Sequence, residues 1–229
     1  MLKPNEIQIK TASLERSSDE VAALRALLSP KELTRADRYK FEKHRRRFTV
    51  ARGLLRETLA SYLDIDPVDV AFEYGKHGKP YLPPELLSKQ FIQFNVSHSH
   101  ELSVFALGLQ HDIGVDIEYM KPQRDLVGLA RRYFHPDEID ELSNLPQEQE
   151  LQGFYNTWSR KEAFIKALGV GLHYPLDSFC VSLTPGAPVS LNHTEDDDWA
   201  IHALDLPEGY AGAIVCRADF KVDPGTRPG

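Results

Sequence analysis

The feature that most restricts the fold is the order in which two hydrophobic periods alternate along the chain. "LSPKELTRADRYKFEKHRRRFTVARGLLRETLASYLDI" carries Phe41, Phe48, Leu55, Leu59 and Leu63 at helical recurrence, with Ser29-Pro30 and Asp66-Pro67 as punctuation, and reads as one or two helices. "DVAFEYGKHGKPYL" alternates briefly before a Gly-Lys loop, and "FIQFNVSHSHELSVFALGLQHDIGVDIE" supplies three strand-like runs separated by polar turns. Helical periodicity returns in "DLVGLARRYFHPDEIDEL" and "EQELQGFYNTWSRKEAFIKALGVGL", the second stopping at Gly169 as a C′ glycine requires. The strand-like runs "FCVSL", "WAIHAL" and "AGAIVCRA" then close the chain, before a Pro/Gly-rich end, "KVDPGTRPG", that predicts a frayed tail. Helix followed by strands thus occurs twice, which predicts two similar α+β halves joined near residues 110–125.

Composition narrows the setting. With 229 residues and 41% hydrophobic content the chain can bury a substantial core. The start, "MLKPNEIQIKTASLE", has no apolar stretch of signal-peptide type, and no run approaches the roughly 18 apolar residues of a spanning helix, so a cytoplasmic protein without membrane attachment is expected. Cys180 and Cys216 each sit in an apolar run without metal-ligand spacing, and read as buried structural thiols. A net charge of −7 argues against general nucleic-acid binding. Yet from Arg35 to Arg56 basic residues far outnumber Asp37 and Glu42, which is either a solvated helix face or a local anion site.

Chemistry concentrates in two segments. In the strand-like "GVDIE", Ile113, Val115 and Ile117 would point into a core while Gly114, Asp116 and Glu118 share the opposite face. Two carboxylates on one face repel unless a cation or water neutralises them. Taken alone, the pair fits an exposed, hydrated sheet face; a hard cation such as Mg²⁺ is the functional alternative. "WSRKEAFIK" shifts the balance, because Trp158, Glu162 and Lys166 lie at i, i+4 and i+8 on one helix flank. An ordinary intrahelical ion pair needs no more than that. A third carboxylate beside a lysine is also what metal-assisted phosphoryl transfer requires.

"FNVSHS", "GVDIE" and "WSRKEAFIKALGVGL", in this order and at these separations, closely resemble the signature segments of the Sfp-type 4′-phosphopantetheinyl transferases, and the resemblance spans roughly residues 35–183. It implies a pseudo-dimer of two similar halves, each a small, mainly antiparallel sheet packed on a long helix, with coenzyme A in the cleft between them. The halves would be residues 1–112 and 113–221, the second carrying the metal site, with 222–229 as the tail. The family moves the phosphopantetheine arm of coenzyme A onto a serine of an apo acyl or peptidyl carrier protein, with Mg²⁺ as the usual cofactor; Mn²⁺, which accepts the same oxygen donors, stays open.

By the same resemblance Asp116, Glu118 and Glu162 match the metal ligands, and Lys166 the lysine on the coenzyme pyrophosphate. Ser97 and His98 match residues on the coenzyme phosphates, Lys79 falls in the segment lining the adenine site with Tyr74 to Gly78 leading into it, and Asn95 and Lys161 are further coenzyme-binding candidates. Arg52 matches a basic position associated with the 3′-phosphate, although other arginines of 45–56, Lys31 and Lys40 stay open for that role. Lys79 with Gly75 and Gly78 could equally be a plain hairpin turn. Coenzyme A carries three phosphates, which accounts for a basic block in an acidic protein.

The expected mechanism has Glu162 accept the carrier serine's proton, directly or through a water, while Asp116 and Glu118 hold the metal and Lys166 stabilises the leaving phosphate. "LARRYFHPDEI", centred on Arg131, Arg132 and Phe134, is the candidate docking surface for the acidic carrier, with an ordinary amphipathic helix as the alternative. Trp158 and Phe164 read as core. A coenzyme binder that has lost transfer and a metal-dependent phosphodiesterase are the competing functions; the intact acidic set argues against the first, and the sparse His/Asp clustering against the second. The length suits a monomer.

Overall fold

The computed structural model describes residues 2–87, 91–122, 125–192 and 198–223. The first strand, β1 (Glu6–Ser13), alternates Ile7 and Ile9 inward, a period-two signal at the start of the chain that the sequence reading passed over. Three helices follow, α1 (Ser18–Ala26), α2 (Pro30–Asp37) and α3 (Glu42–Leu63). The first two begin at Ser17 and Ser29, each with a reciprocal capping box to Glu20 and Glu32. The short hairpin β2 (Glu73–Tyr74) and β3 (Pro80–Tyr81) precedes three long strands, β4 (Ile92–Ser99), β5 (Leu102–Leu109) and β6 (Gly114–Tyr119).

The second half repeats the plan with α4 (Leu126–Tyr133), α5 (Pro136–Asn144) and α6 (Gln147–Leu168), then β7 (Cys180–Val181), β8 (Leu191–Asn192), β9 (Trp199–Ala203), β10 (Tyr210–Arg217) and β11 (Lys221–Asp223). The helices α3 and α6 are both 22 residues long. Each backs one sheet: Leu55 and Leu59 of α3 pack with Phe94 and Leu107 of the sheet ordered β11-β1-β5-β4, and Ala163 and Ala167 of α6 with Ala213 and Val215 of the sheet β6-β10-β9. The mixed α/β, two-half architecture with mainly antiparallel sheets is therefore present.

One detail corrects the sequence reading. Lys221 to Asp223 do not fray but pair in parallel with Glu6 to Gln8, so the end of the chain is a strand of the first sheet. Of the segment 222–229, only 224–229 lie outside the described residues. The physical reason is that β1 would otherwise present an unpaired sheet edge, which β11 covers. Among the described residues, no helix is long and apolar enough to cross a membrane. Both cysteines are buried and free.

Gly114 sets the distance between α6 and its sheet. A Cβ there would lie 1.9 Å from the Ala163 carbonyl oxygen and 2.3 Å from the Ala167 nitrogen, so only glycine allows α6 to approach β6 this closely. The helix ends at Gly169, whose φ of 69° is the left-handed conformation of a helix stop, with its N–H donating to Ile165 and Lys166 carbonyls.

Candidate active site

The strand β6 meets the first half through side chains. Asn95 Oδ1, Ser97 Oγ and Ser99 Oγ, on alternate residues of β4, accept from the backbone N–H groups of Val115 (2.9 Å), Ile117 (3.2 Å) and Tyr119 (3.0 Å). These three bonds satisfy main-chain donors of β6 that a neighbouring strand would otherwise serve. Ile113, Val115 and Ile117 point into a core shared with Ile7, Ile9 and Val104, as the alternation requires, which leaves Asp116 and Glu118 on the face toward α6.

A cleft of about 480 Å³ opens there, and its lining includes Asp116, Glu118, Trp158, Glu162 and Lys166 from the second half and Arg35, Arg52, Tyr74, Ser97 and His98 from the first. Trp158, Glu162 and Lys166 therefore do form one flank of α6. Trp158 is not simply core: it packs edge-on against Tyr133 at 5.6 Å and also lines the cleft.

Asp116 is the most buried acid of the set, at 4% exposure. Its Oδ1 accepts from Lys166 Nζ (2.6 Å) and Ser97 Oγ (2.9 Å), whereas its buried Oδ2 has no hydrogen-bond partner among the described residues. Ser99 Oγ donates to Glu118 Oε2 at 2.9 Å. Burial, reinforced by Asp116, raises the Glu118 carboxyl above its ordinary range. Glu162 is pushed up to about 7, first by burial and then by the Asp116 charge, against the opposing pull of Lys166.

An all-oxygen set of three mutually repelling carboxylates, one with an orphaned buried oxygen, fits a hard divalent cation such as Mg²⁺. Asp116, Glu118 and Glu162 are the residues that would hold it. Among the described residues the trio of His, Cys, Asp or Glu whose ligand atoms all lie within 4.8 Å of one another is a different one, His135, Asp137 and Cys180. It is at the start of α5, where His135 Nδ1 accepts from the Asp137 N–H and the Cys180 thiol is pushed up to about 11 by burial.

The basic block divides between structure and cleft. Arg46 donates to the Arg16 carbonyl, Arg47 pairs with Glu101, and the fully buried Arg56 pairs with Glu32 at 2.7 Å. Arg52 lies 3.5 Å from Glu32 and over the Phe72 ring, and faces the cleft together with Arg35, which stacks over Phe48. Arg35 was not among the expected site residues; its place one helical turn from Lys31 was the available signal. His98 is held below the usual histidine range, first by the protein around its ring and then by the charges of Lys166, Arg35 and Arg52.

Four expected positions differ in detail. Lys161 is fully buried, donates to the Leu176 and Phe179 carbonyls at 2.6 and 2.5 Å and pairs with Glu138 at 2.9 Å, so it points away from the cleft and braces α6 against α5. Asn95 spends its Oδ1 on the Val115 N–H, and Ser97 spends its only proton on Asp116. Lys79 lies in the turn of the β2–β3 hairpin, next to Gly78 with its φ of 83°, and its Nζ donates to the Ile113 and Ala167 carbonyls, tying the turn to the second half while its stem lines a smaller cavity that also touches Glu162 and Lys166.

The family model of the 4′-phosphopantetheinyl transferase superfamily matches residues 112–215, and that of the 4′-phosphopantetheinyl transferase N-terminal region matches residues 14–109. The chain is 37% identical to the 4′-phosphopantetheinyl transferase HetI of Nostoc sp., over 97% of this chain and 92% of that protein. A 4′-phosphopantetheinyl transferase of Bacillus subtilis is 34% identical over 88% of this chain and 87% of its own, and the Sfp enzyme of Bacillus subtilis strain 168 is 29% identical over 91% and 84%. Family models that account for both halves, and a relative this similar along almost its whole length, lead to one conclusion: the chain belongs to the 4′-phosphopantetheinyl transferase superfamily.

Proposed function

We propose that this protein moves the 4′-phosphopantetheine arm of coenzyme A onto a serine of an apo acyl or peptidyl carrier protein, with Glu162 as the base and Asp116, Glu118 and Glu162 as the seat of a Mg²⁺ ion. The observation that carries the reading is the convergence of three carboxylates and Lys166 with Arg35, Arg52 and His98 on one cleft between the halves. Those groups supply the positive charge and hydrogen-bond donors needed to hold a pyrophosphate and a third phosphate beside a group able to take a proton.

The serine oxygen forms a bond to the phosphorus that carries pantetheine, and the bond from that phosphorus to the bridging oxygen breaks, releasing adenosine 3′,5′-bisphosphate. The serine proton passes to the Glu162 carboxylate, which lines the same cleft and which a cation beside it would keep ionised and ready to accept. Lys166 projects from α6 into the same space and offsets the charge that grows on the departing phosphate. A bound Mg²⁺ supplies Lewis-acid neutralisation of the pyrophosphate oxygens. His98, Arg35 and Arg52 orient the coenzyme from the other wall.

The carrier approaches over α4, where Arg131 and Arg132 are exposed beside Leu129, itself 41% exposed. Phe134 is not part of that surface: it is buried against Phe154 at a ring separation of 5.2 Å. The test is to incubate the protein with coenzyme A, Mg²⁺ and an apo carrier and weigh the carrier by mass spectrometry. Gain of one phosphopantetheine supports the reading, and an unmodified carrier with coenzyme A bound or cleaved refutes it.

A further inference from the structure

We propose that Ser97 and Ser99 of β4 are positioning residues that set the orientation of the metal-holding carboxylates from the opposite half of the molecule. The inference rests on the reading that Asp116 and Glu118 hold a divalent cation, and adds which residues fix their geometry.

Each serine hydroxyl has one proton and two lone pairs, so its partners determine its rotor completely. Ser99 Oγ accepts from the Tyr119 N–H at 3.0 Å and donates to Glu118 Oε2 at 2.9 Å. Ser97 Oγ accepts from the Ile117 N–H at 3.2 Å and from Lys166 Nζ at 3.3 Å, and donates to Asp116 Oδ1 at 2.9 Å. In both cases the serine binds the backbone N–H of one residue and the side chain of the residue before it. The i, i+2 spacing of the serines on β4 thus matches the i, i+2 spacing of the acids on β6, and the match holds only in this register.

One oxygen of each carboxylate is tied, which leaves Asp116 Oδ2 buried without a partner beside the cleft. A carboxylate whose torsion is already fixed loses less freedom when it takes a cation. The first half therefore presets the metal centre of the second, and cation affinity depends on the docking of β4 against β6.

The experiment titrates Mn²⁺ into the full, metal-free chain without coenzyme, followed by electron paramagnetic resonance, with thermal unfolding in EDTA recorded for each variant. Ser99→Ala is expected to weaken Mn²⁺ binding on the order of 10-fold, as loss of a bond to a metal ligand does, and Ser99→Thr, which keeps the hydroxyl, to restore most of it. Glu118→Gln tests the underlying reading separately. If Glu118→Gln loses affinity while a folded Ser99→Ala binds Mn²⁺ as the native chain does, the positioning role is overturned. If Glu118→Gln itself binds unchanged, the metal reading falls and this inference with it. Should Ser99→Ala not fold, Ser99→Cys, similar in size but a weak donor, carries the comparison with the same expected loss.

Discussion

Lys166 Nζ stands 2.6 Å from Asp116 Oδ1, and also reaches the Val115 carbonyl at 3.3 Å, so a lysine of α6 closes over the buried acid of β6. The pair brings a cation to the one place where the strand has concentrated negative charge. It also leaves Glu162, one turn earlier on α6, facing Asp116 and Glu118 with only a share of that cation. The unequal division gives the acids different electrostatic environments.

If Glu162 is the proton acceptor, as proposed, replacing it by Gln removes that acceptor while keeping the shape of the cleft. Turnover should fall by roughly 10²-fold or more, with coenzyme A affinity measured by calorimetry largely retained. Native kcat/KM should show an acid limb at or below about pH 7, since a bound cation favours the ionised carboxylate, and that limb should be absent in the variant.

The same group predicts how stability depends on pH. Glu162 keeps its proton in the folded chain up to about pH 7 but releases it near 4.5 when unfolded, so the folded state binds more protons between these values. Stability of the metal-free protein should therefore fall as pH rises across that window, and Glu162→Gln should flatten the decline, by on the order of 2 kcal/mol at pH 8. Urea titrations in EDTA at pH 5 and pH 8 measure it.

Gly114→Ala should be severely destabilising, because its methyl group would overlap backbone atoms of α6 rather than a side chain that can turn aside. A loss of about 3 kcal/mol or more is expected from such overpacking. Chemical denaturation measures it, and Val115→Ala, on the opposite face of the strand, should behave as an ordinary large-to-small core change instead.

Lys161→Met leaves the Glu138 carboxylate buried without its cation, at a cost of about 3 to 5 kcal/mol. Because Lys161 faces away from the cleft, the KM for coenzyme A of the folded fraction should remain unchanged, which steady-state kinetics at low temperature can check.

Charge reversal of Arg131 and Arg132 to Glu should raise the KM for an acidic carrier and leave coenzyme A affinity as it was. The effect should shrink as salt screens the native attraction, so carrier KM measured across ionic strength is the readout.

Much of this protein is legible in its sequence because the signals are local. The 3.6-residue period marked α3 and α6, Gly169 marked a helix end, and alternation in "GVDIE" put Asp116 and Glu118 on one face with Ile113, Val115 and Ile117 inward. The stripe Trp158, Glu162, Lys166 follows from helix geometry alone. Even the missed strand β1 was written in the alternation of Ile7 and Ile9.

Tertiary structure decided what each polar side chain does. Lys161 and Lys166 sit on one helix five residues apart in type-identical form, yet the turn between them sends one to Glu138 in the core and the other to Asp116 in the cleft. Of the arginines in one basic block, Arg56 is consumed by Glu32 while Arg35 and Arg52 reach the cleft, and the tail strand β11 finds β1 at the far end of the chain. Sequence period sets which way a residue points from its own element, but the partner it meets there depends on long-range packing that no local spacing encodes.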